Sequence, residues 1–187
     1  GFEHPAAKRS FPWNVAQTDF LINNQDNIRS KEDQLIIQHF LQEYEKNIVP
    51  ISHELNRAVI HNDGNDYNVL LNDNGHISGV IDFGDMAHTF LASELAVAIT
   101  YLILEEAEPE TKIKSVVQGF QSVYPLRDEE IESLIHLVCV RACFSVVTAN
   151  YRKKLFPENK YISVTEPYAW TFLKNFADKE LSNFKIY

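Results

Sequence analysis

Two short apolar runs on either side of an Asn-Gly turn constrain the fold of this chain more than any other feature. Val69–Leu71 and His76–Asp82 flank the segment Asn72-Asp-Asn-Gly75. Asn-Gly between two apolar runs is a strong signal for a tight β-hairpin. A further short strand is expected at Ala58–Ile60. The pattern predicts a small β-structure in the first half of the chain.

Most of the remaining chain predicts helices. Apolar residues at helical spacing predict a long helix over Ser30–Leu55, which Pro50 should kink or end near Val49. Everything after Thr89 shows the same spacing, with proline or aspartate at suitable helix starts. The helices expected there are Phe90–Glu105, Pro109–Val123, Asp128–Tyr151 and Glu166–Phe176. These elements together predict a predominantly helical α+β fold.

Polar residues that suit phosphoryl transfer surround the hairpin. Asp63 lies five residues before Asn68, and Asp82 ends an apolar run that continues as Phe83-Gly84. Phosphoryl transfer needs a carboxylate that accepts the proton of the attacking hydroxyl, and hard oxygen ligands for Mg²⁺. The spacing follows the kinase pattern H-x-D-x-x-x-x-N followed by D-F-G. Asp63 is therefore the expected catalytic base, and Asn68 and Asp82 are the expected metal ligands.

Each of these residues alone is as easily explained as a turn or capping residue, and only their combination favours the kinase interpretation. His61 is expected to fix the loop backbone rather than to perform chemistry. Asp66 and Asp85 are supporting acids that could hold a substrate ammonium group or support the metal, and Asp85 is the stronger candidate. Glu94 is more simply explained as a solvated or capping acid.

The substrate predicted by this layout is a small molecule. Asn62 stands where protein kinases have the arginine that reads a phosphorylated activation loop. About a dozen residues separate Asp82 from the helical Leu95, too few for an activation loop that docks a peptide. A helix, a motif-bearing hairpin and a helical bundle, in that order, indicate the C-terminal lobe of a protein-kinase-like fold.

Composition limits the remaining possibilities. The chain has 187 residues, the size of one domain, and a net charge of −9, which argues against a nucleic-acid or anionic-membrane partner. Cys139 and Cys143 lie four residues apart and are expected to pack as small apolar residues. The apolar run around them is interrupted by His136 and Arg141, so no membrane span is expected. A cytoplasmic location is the default expectation.

These motifs resemble those of the aminoglycoside phosphotransferase and choline kinase-like superfamily and, within it, the hydroxylysine kinases. The resemblance implies a kinase-like fold, Mg²⁺, ATP or GTP as phosphate donor, and a small hydroxylated amine such as hydroxylysine as acceptor. Position by position, Asp63 matches the catalytic aspartate, and Asn68 and Asp82 match the magnesium ligands. Asn62 departs from the family, which more often has glycine there. The segments that carry the resemblance are Phe11–Asn14, Ile60–Leu70, Gly79–Met86, Glu94–Ile99, Val138–Cys143 and Pro157–Lys160.

In kinases, a Gly-rich loop and a strand lysine that follows it belong to the N-terminal lobe that covers the nucleotide. The chain shows neither of these features in that order. Residues 1–187 are therefore expected to form a single domain, the C-terminal catalytic lobe, without its N-terminal lobe and inactive alone. Expected partners are a nucleotide, a small amine and that lobe. Open alternatives are another acceptor (homoserine, choline, ethanolamine or an aminoglycoside), a non-catalytic module that binds a metabolite or protein, and dimerisation through exposed interlobe surface.

Overall fold

A computed structural model of the chain describes residues 4–5, 9–104, 109–159 and 164–181. It is a helical bundle with two small antiparallel sheets, so the expected, predominantly helical α+β fold is confirmed. The helices are α1 (Asp19–Asn24), α2 (Lys31–Asn47), α3 (Ala92–Ile103), α4 (Pro109–Val123), α5 (Asp128–Leu155) and α6 (Glu166–Ala177). The strands are β1 (Arg57–Ile60), β2 (Val69–Leu71), β3 (Ile77–Val80) and β4 (Ala87–Phe90).

Helix α5 lies at the centre of the core because it is apolar on all sides over most of its length. Helices α1, α2, α3 and α6 pack against it, and Leu134, Leu137 and Phe144 are completely buried. Its 28 residues are long and apolar enough to cross a membrane, contrary to the expectation from its interrupting His136 and Arg141. However, 94% of its most apolar window is buried inside the protein. The helix has the burial of a core helix.

The two cysteines of α5 are part of this core. Cys139 and Cys143 are both free and completely buried. Burial raises the pKa of each thiol because the thiolate would lose its hydration. The cysteines therefore pack as small, un-ionised apolar residues, as expected from their spacing.

Helix α2 begins and ends at recognisable signals. The Ser30 hydroxyl oxygen accepts the N–H of Asp33 at 3.2 Å, which satisfies one of the free donors of the first turn. The helix ends at Asn47, three residues before Pro50 and well before the expected limit at Leu55. Proline has no N–H to donate, so the helix cannot continue through it.

Strands β1 and β4 form an antiparallel pair in which Ile60 lies opposite Ala87 and Arg57 lies opposite Phe90. The expectation of helix from Phe90 onwards was wrong at this point, since α3 begins at Ala92. A strand of four residues has little local pattern of its own, so β4 is recognisable mainly through its pairing with another strand. That partner is β1, which lies much earlier in the chain. The pairing has a consequence for the site, because it places the loops that follow Ile60 and precede Ala87 side by side.

Strands β2 and β3 form the expected hairpin, with Val69 opposite Val80 and Leu70 opposite Gly79. Strand β3 ends at Val80, two residues before the expected limit at Asp82. The backbone of Asp82 has φ 62° and ψ 63°, a left-handed conformation that cannot continue a strand. The chain therefore turns sharply where the metal ligand was expected.

The hairpin exposes apolar side chains on both of its faces. These side chains, here called the apolar ribbon, are each at least 43% exposed. An isolated two-stranded hairpin is marginally stable in water, and these exposed apolar side chains are available for contact with another surface. The apolar ribbon consists of Leu70, Leu71, Ile77, Val80 and Ile81.

Candidate active site

The loop between β1 and β2 is anchored to helix α3 and to the segment after β3. Asn62 has φ 67° and is completely buried. Its N–H donates to Glu94 Oε2 at 2.9 Å, and its side-chain amide donates to the Asp85 carbonyl at 3.3 Å. A Cβ at Gly64 would lie 3.1 Å from Glu94 Oε1, so a glycine permits the close approach. Glu94, expected to be a solvated or capping acid, holds this loop instead.

Asp63 and Asn68 are joined by the side-chain amide of Asn68. Its Nδ2 donates to the backbone carbonyl of Asp63 and to its carboxylate Oδ2, both at 2.9 Å. Asn68 is itself held by Asn65, whose Oδ1 accepts the Asn68 N–H at 3.2 Å. The Asp63 side chain remains 20% exposed, which leaves its carboxylate accessible from one side.

Asp82 is brought to the same loop by the backbone. The N–H of Ile81 donates to the carbonyl of Asn68 at 3.0 Å, which continues the hairpin pairing by one step. The left-handed turn at Asp82 follows, and its Oδ1 accepts the N–H of Gly84 at 3.4 Å. The Asp82 side chain is exposed. Asn68 and Asp82 are thus close neighbours across the base of the hairpin.

The supporting acids differ in their surroundings. Asp85 is half-buried, and burial raises the pKa of its carboxyl above the ordinary value. The negative charges of Asp63 and then Asp82 raise that pKa further, whereas Arg141 lowers it. Asp85 therefore shares one electrostatic environment with the expected base and metal ligand. Asp66 is exposed at the first position of a short 3₁₀ turn.

His61 contacts backbone on both sides of its ring. Its Nδ1 accepts the N–H of Asp63 at 3.3 Å, and its Nε2 lies 2.9 Å from the carbonyl oxygen of Ile81. An accepting Nδ1 and a donating Nε2 correspond to one neutral tautomer. The ring also packs edge-on against Phe83, with centroids 5.0 Å apart. His61 thus connects the loop after β1 with the segment after β3.

The donor set suits Mg²⁺ that is bound together with a phosphate ligand. The Asn68 amide nitrogen is committed to Asp63, which leaves its Oδ1 as the atom a cation can approach, and Asp82 offers a carboxylate. Mg²⁺ is commonly held by one or two carboxylates plus substrate phosphates. Within the described ranges, no three His, Cys, Asp or Glu side chains are grouped to hold a metal alone. Nucleotide phosphates and water would complete the shell.

Two residues at the site, Tyr101 and Arg141, were not identified as its members from the sequence. Tyr101 of α3 donates its hydroxyl to Asp63 Oδ1 at 3.3 Å, and Arg141 of α5 has its Nη2 3.6 Å from the same oxygen. The Arg141 guanidinium lies over the Trp13 ring, 4.5 Å from its centroid. The available signal was a single arginine inside an apolar helix, because arginine is rarely buried without a partner.

Comparison with known proteins finds a matching family and several similar sequences. Residues 4–129 match the phosphotransferase enzyme family. The chain is 33% identical over 178 residues to hydroxylysine kinase of Xenopus laevis, covering 90% of the chain and 48% of that protein. Hydroxylysine kinase of Mus musculus is 28% identical over 95% of the chain and 50% of its own length, and that of Danio rerio is 31% identical over 87% and 48%. The chain spans about half the length of the curated relatives it matches.

Proposed function

The chain belongs to the phosphotransferase enzyme family, and on that basis we propose that it is the catalytic lobe of a Mg²⁺-dependent small-molecule kinase. The observation that supports the proposal is that Asp63, Asn68 and Asp82 lie on two adjacent segments at the base of the hairpin. One amide joins Asn68 to Asp63, and one backbone hydrogen bond from Ile81 to Asn68 draws Asp82 to the same place. A base beside two oxygen ligands is the constellation that phosphoryl transfer requires.

In the proposed reaction, Asp63 accepts the proton of the acceptor hydroxyl as that oxygen forms its bond to the γ-phosphorus. The bond from the γ-phosphorus to the β-phosphate oxygen breaks, and the nucleoside diphosphate leaves. Mg²⁺ held by Asn68 and Asp82 would neutralise charge on the β- and γ-phosphates. Most of the rate enhancement then comes from positioning and from fixed charges.

The proposed acceptor is a hydroxyl group of a small amine, and 5-hydroxylysine is the first candidate because the matched relatives are hydroxylysine kinases. The acidic group proposed to hold the ammonium is Asp85, which lies close enough to Asp63 and Asp82 for their charges to raise its pKa, while Arg141 is the cation that faces Asp63. ATP or GTP is the proposed donor. Homoserine, choline, ethanolamine and aminoglycosides share the hydroxyl and amine chemistry, so they belong in the same screen.

We also propose that a second, N-terminal lobe covers the nucleotide and the hairpin. The apolar ribbon supports this, because its side chains border Asn68 and Asp82 and are exposed on both faces of a two-stranded hairpin. Burying such side chains is favourable by about 25 cal/mol per Å² of apolar surface. A covering lobe would also exclude water from the transfer step.

The test is a phosphorylation assay with the full-length protein, Mg²⁺, and ATP or GTP in separate reactions. Each candidate acceptor is supplied in turn, and phosphorylated product is detected by ³¹P NMR. We expect 5-hydroxylysine to be phosphorylated, and the Asp63→Asn variant to lose activity by about 10²-fold or more while it still binds nucleotide.

A normal rate in folded Asp63→Asn protein would show that this residue is not the base. Transfer to another acceptor in place of hydroxylysine would replace the proposed substrate and keep the chemistry. Nucleotide binding without transfer to any acceptor would favour a non-catalytic binding module. The 187-residue chain assayed alone should show little or no transfer, because it would lack the covering lobe.

A further inference from the structure

We propose that Arg141 is a positioning residue, which orients the Asp63 carboxylate through its own charge and through the hydroxyl of Tyr101. The inference rests on the proposed function, because it assigns Arg141 a role only if Asp63 is the base. Arg141 lies in the middle of α5, and Tyr101 lies near the end of α3. Helices α3 and α5, which pack against each other, thus each contribute one side chain to the same carboxylate oxygen.

Burial of Arg141 requires an explanation, since its guanidinium stays charged at any physiological pH. The residue is 1% exposed and is the largest of the fully buried side chains in the described part of the chain. Removing such a charge from water is costly unless a carboxylate faces it. Arg141 forms an ion pair with Asp63, with Nη2 3.6 Å from Oδ1, and its charge also lowers the pKa of the nearby Asp85 carboxyl.

Tyr101 bridges the pair. Its hydroxyl accepts a hydrogen bond from Arg141 Nη2 at 3.2 Å and donates one to Asp63 Oδ1 at 3.3 Å. The guanidinium itself is held by aromatic rings, 4.5 Å from the centroid of Trp13 and 5.7 Å from that of Tyr101. A cation over the face of a ring is attracted to it, most strongly when both are removed from water. The aromatic rings therefore hold the Arg141 guanidinium in place independently of its contact with the Asp63 carboxylate.

A purely structural role explains this arrangement less well. Two further donors of Arg141, Nε and Nη1, are buried and have no hydrogen-bond partner among the described residues. Buried donors without partners destabilise a fold, and an apolar side chain of similar volume would avoid that cost. The ion pair that the buried Arg141 side chain forms is with Asp63, the proposed base.

The consequence is that the carboxylate of Asp63 is held at both oxygens. Asn68 donates a hydrogen bond to Oδ2, Tyr101 donates one to Oδ1, and Arg141 forms its ion pair with Oδ1. A carboxylate fixed in this way presents its remaining lone pairs in one direction. Misplacing a reacting group by about 1 Å can cost about 10²-fold in rate, so the orientation has a large effect on turnover.

The test uses variants of the full-length protein, with GTP or ATP as donor and the acceptor identified by the screen described above. The variants are Tyr101→Phe, Arg141→Lys and Arg141→Met, together with Asp63→Asn alone and combined with Arg141→Met. Arg127→Met is the matched control, because Arg127 lies at the start of α5 and makes its own 3.6 Å ion pair with Glu130.

We expect Arg141→Met to lower kcat about 10²-fold and Tyr101→Phe about 10-fold, with the KM for nucleotide within about 2-fold of wild type. Arg141→Lys should recover at least part of the lost kcat, because it restores a charge facing Asp63. In the Asp63→Asn background, Arg141→Met should lower kcat by less than about 2-fold, since residues that act as a unit are not additive. Arg127→Met should leave kcat unchanged.

Independent, multiplicative losses in the double variant would overturn the inference, as would a wild-type kcat in Arg141→Met. If Arg141→Met does not fold by circular dichroism, Tyr101→Phe decides, and a folded Tyr101→Phe variant with wild-type kcat overturns the inference. A wild-type kcat in Asp63→Asn would instead overturn the proposed function. The two failures are therefore distinguishable in one set of assays.

Discussion

The side-chain nitrogen of Asn68 donates to both the backbone carbonyl and the carboxylate of Asp63, at 2.9 Å in each case. One amide group therefore connects the proposed base with a proposed metal ligand. Its nitrogen orients Asp63, and its oxygen remains for the cation. Asn68 therefore has two proposed functions, orientation of the base and binding of the cation, and different substitutions should separate them.

Asn68→Asp keeps an oxygen ligand but replaces the donor with a second carboxylate beside Asp63. In the full-length protein we expect kcat to fall about 10²-fold, because the orienting donor is lost and like charges repel. The Mg²⁺ concentration for half-maximal rate should change by less than about 3-fold, since an oxygen ligand remains. Asn68→Ala removes both functions and should impair both quantities. Wild-type kcat in Asn68→Asp would contradict the orienting role.

Asp82→Asn tests the second metal ligand. The amide is a weaker Mg²⁺ ligand than the carboxylate, so we expect the Mg²⁺ requirement to rise about 10-fold or more, with a lower maximal rate. A Mg²⁺ titration at saturating nucleotide measures both. The matched control is Asp73→Asn, which removes one negative charge from an exposed position in the hairpin turn. Equal effects of the two variants would indicate a general charge effect instead of a ligand at Asp82.

Asn62 holds a left-handed backbone conformation, with φ 67°. Alanine in that conformation is strained by its Cβ, whereas glycine is not. Both substitutions remove the hydrogen bond to the Asp85 carbonyl. We therefore expect Asn62→Ala to be less stable than Asn62→Gly by about 1 kcal/mol, measured by urea unfolding. Equal stability of the two variants would mean that the loop relaxes to another conformation.

Asp85 should make folding stability depend on pH. Burial, and then the charge of Asp63, raise the pKa of this carboxyl in the folded protein above 3.8. The ionised form is thus disfavoured by folding, and stability is lost as the pH rises from about 3.8 through the folded-state pKa. Asp85→Asn carries no such penalty. Its free energy of unfolding should exceed that of wild type by a margin that widens over this range and then stays constant.

The comparison requires urea unfolding of both proteins across the acidic range, with EDTA present so that no divalent cation binds the site. Below about pH 3.8 the margin should be smallest, because the carboxyl is then protonated in both the folded and the unfolded states. A margin that does not change with pH would show that the environment of Asp85 does not disfavour its charge.

Much of the fold follows from local patterns. The bounds of α4 agree with the expected Pro109–Val123, and the hairpin lies where its Asn-Gly turn predicts it. These elements depend on periodicity and turn residues that lie within a few positions of one another. Strand β4 was not found because its stability comes from pairing with β1, more than twenty residues away. A pairing between segments so far apart leaves no recognisable pattern among neighbouring residues in the sequence.

Some features of the site were likewise predictable from local patterns, and others were not. The kinase-like spacing alone was enough to select Asp63, Asn68 and Asp82. These side chains lie on two short segments joined by a hairpin, and the turn largely determines the geometry of that hairpin. The sharp left-handed backbone at Asp82 and the burial of Asp85 were not predictable, since both result from contacts among several segments. The roles of these side chains in catalysis stay predictions.

The amino-acid sequence by itself determined helices α2 to α6, though not the short α1, together with the hairpin and the identity of three polar side chains, because each of these depends on residues close together along the chain. Only the tertiary structure decided that Arg141, read from the sequence as an interruption of an apolar helix, lies 3.6 Å from Asp63. Helix α3 packs against α5 and, through Glu94, holds the loop that carries Asp63. Contacts between residues so far apart arise from burial of the shared core, which no spacing in the sequence encodes.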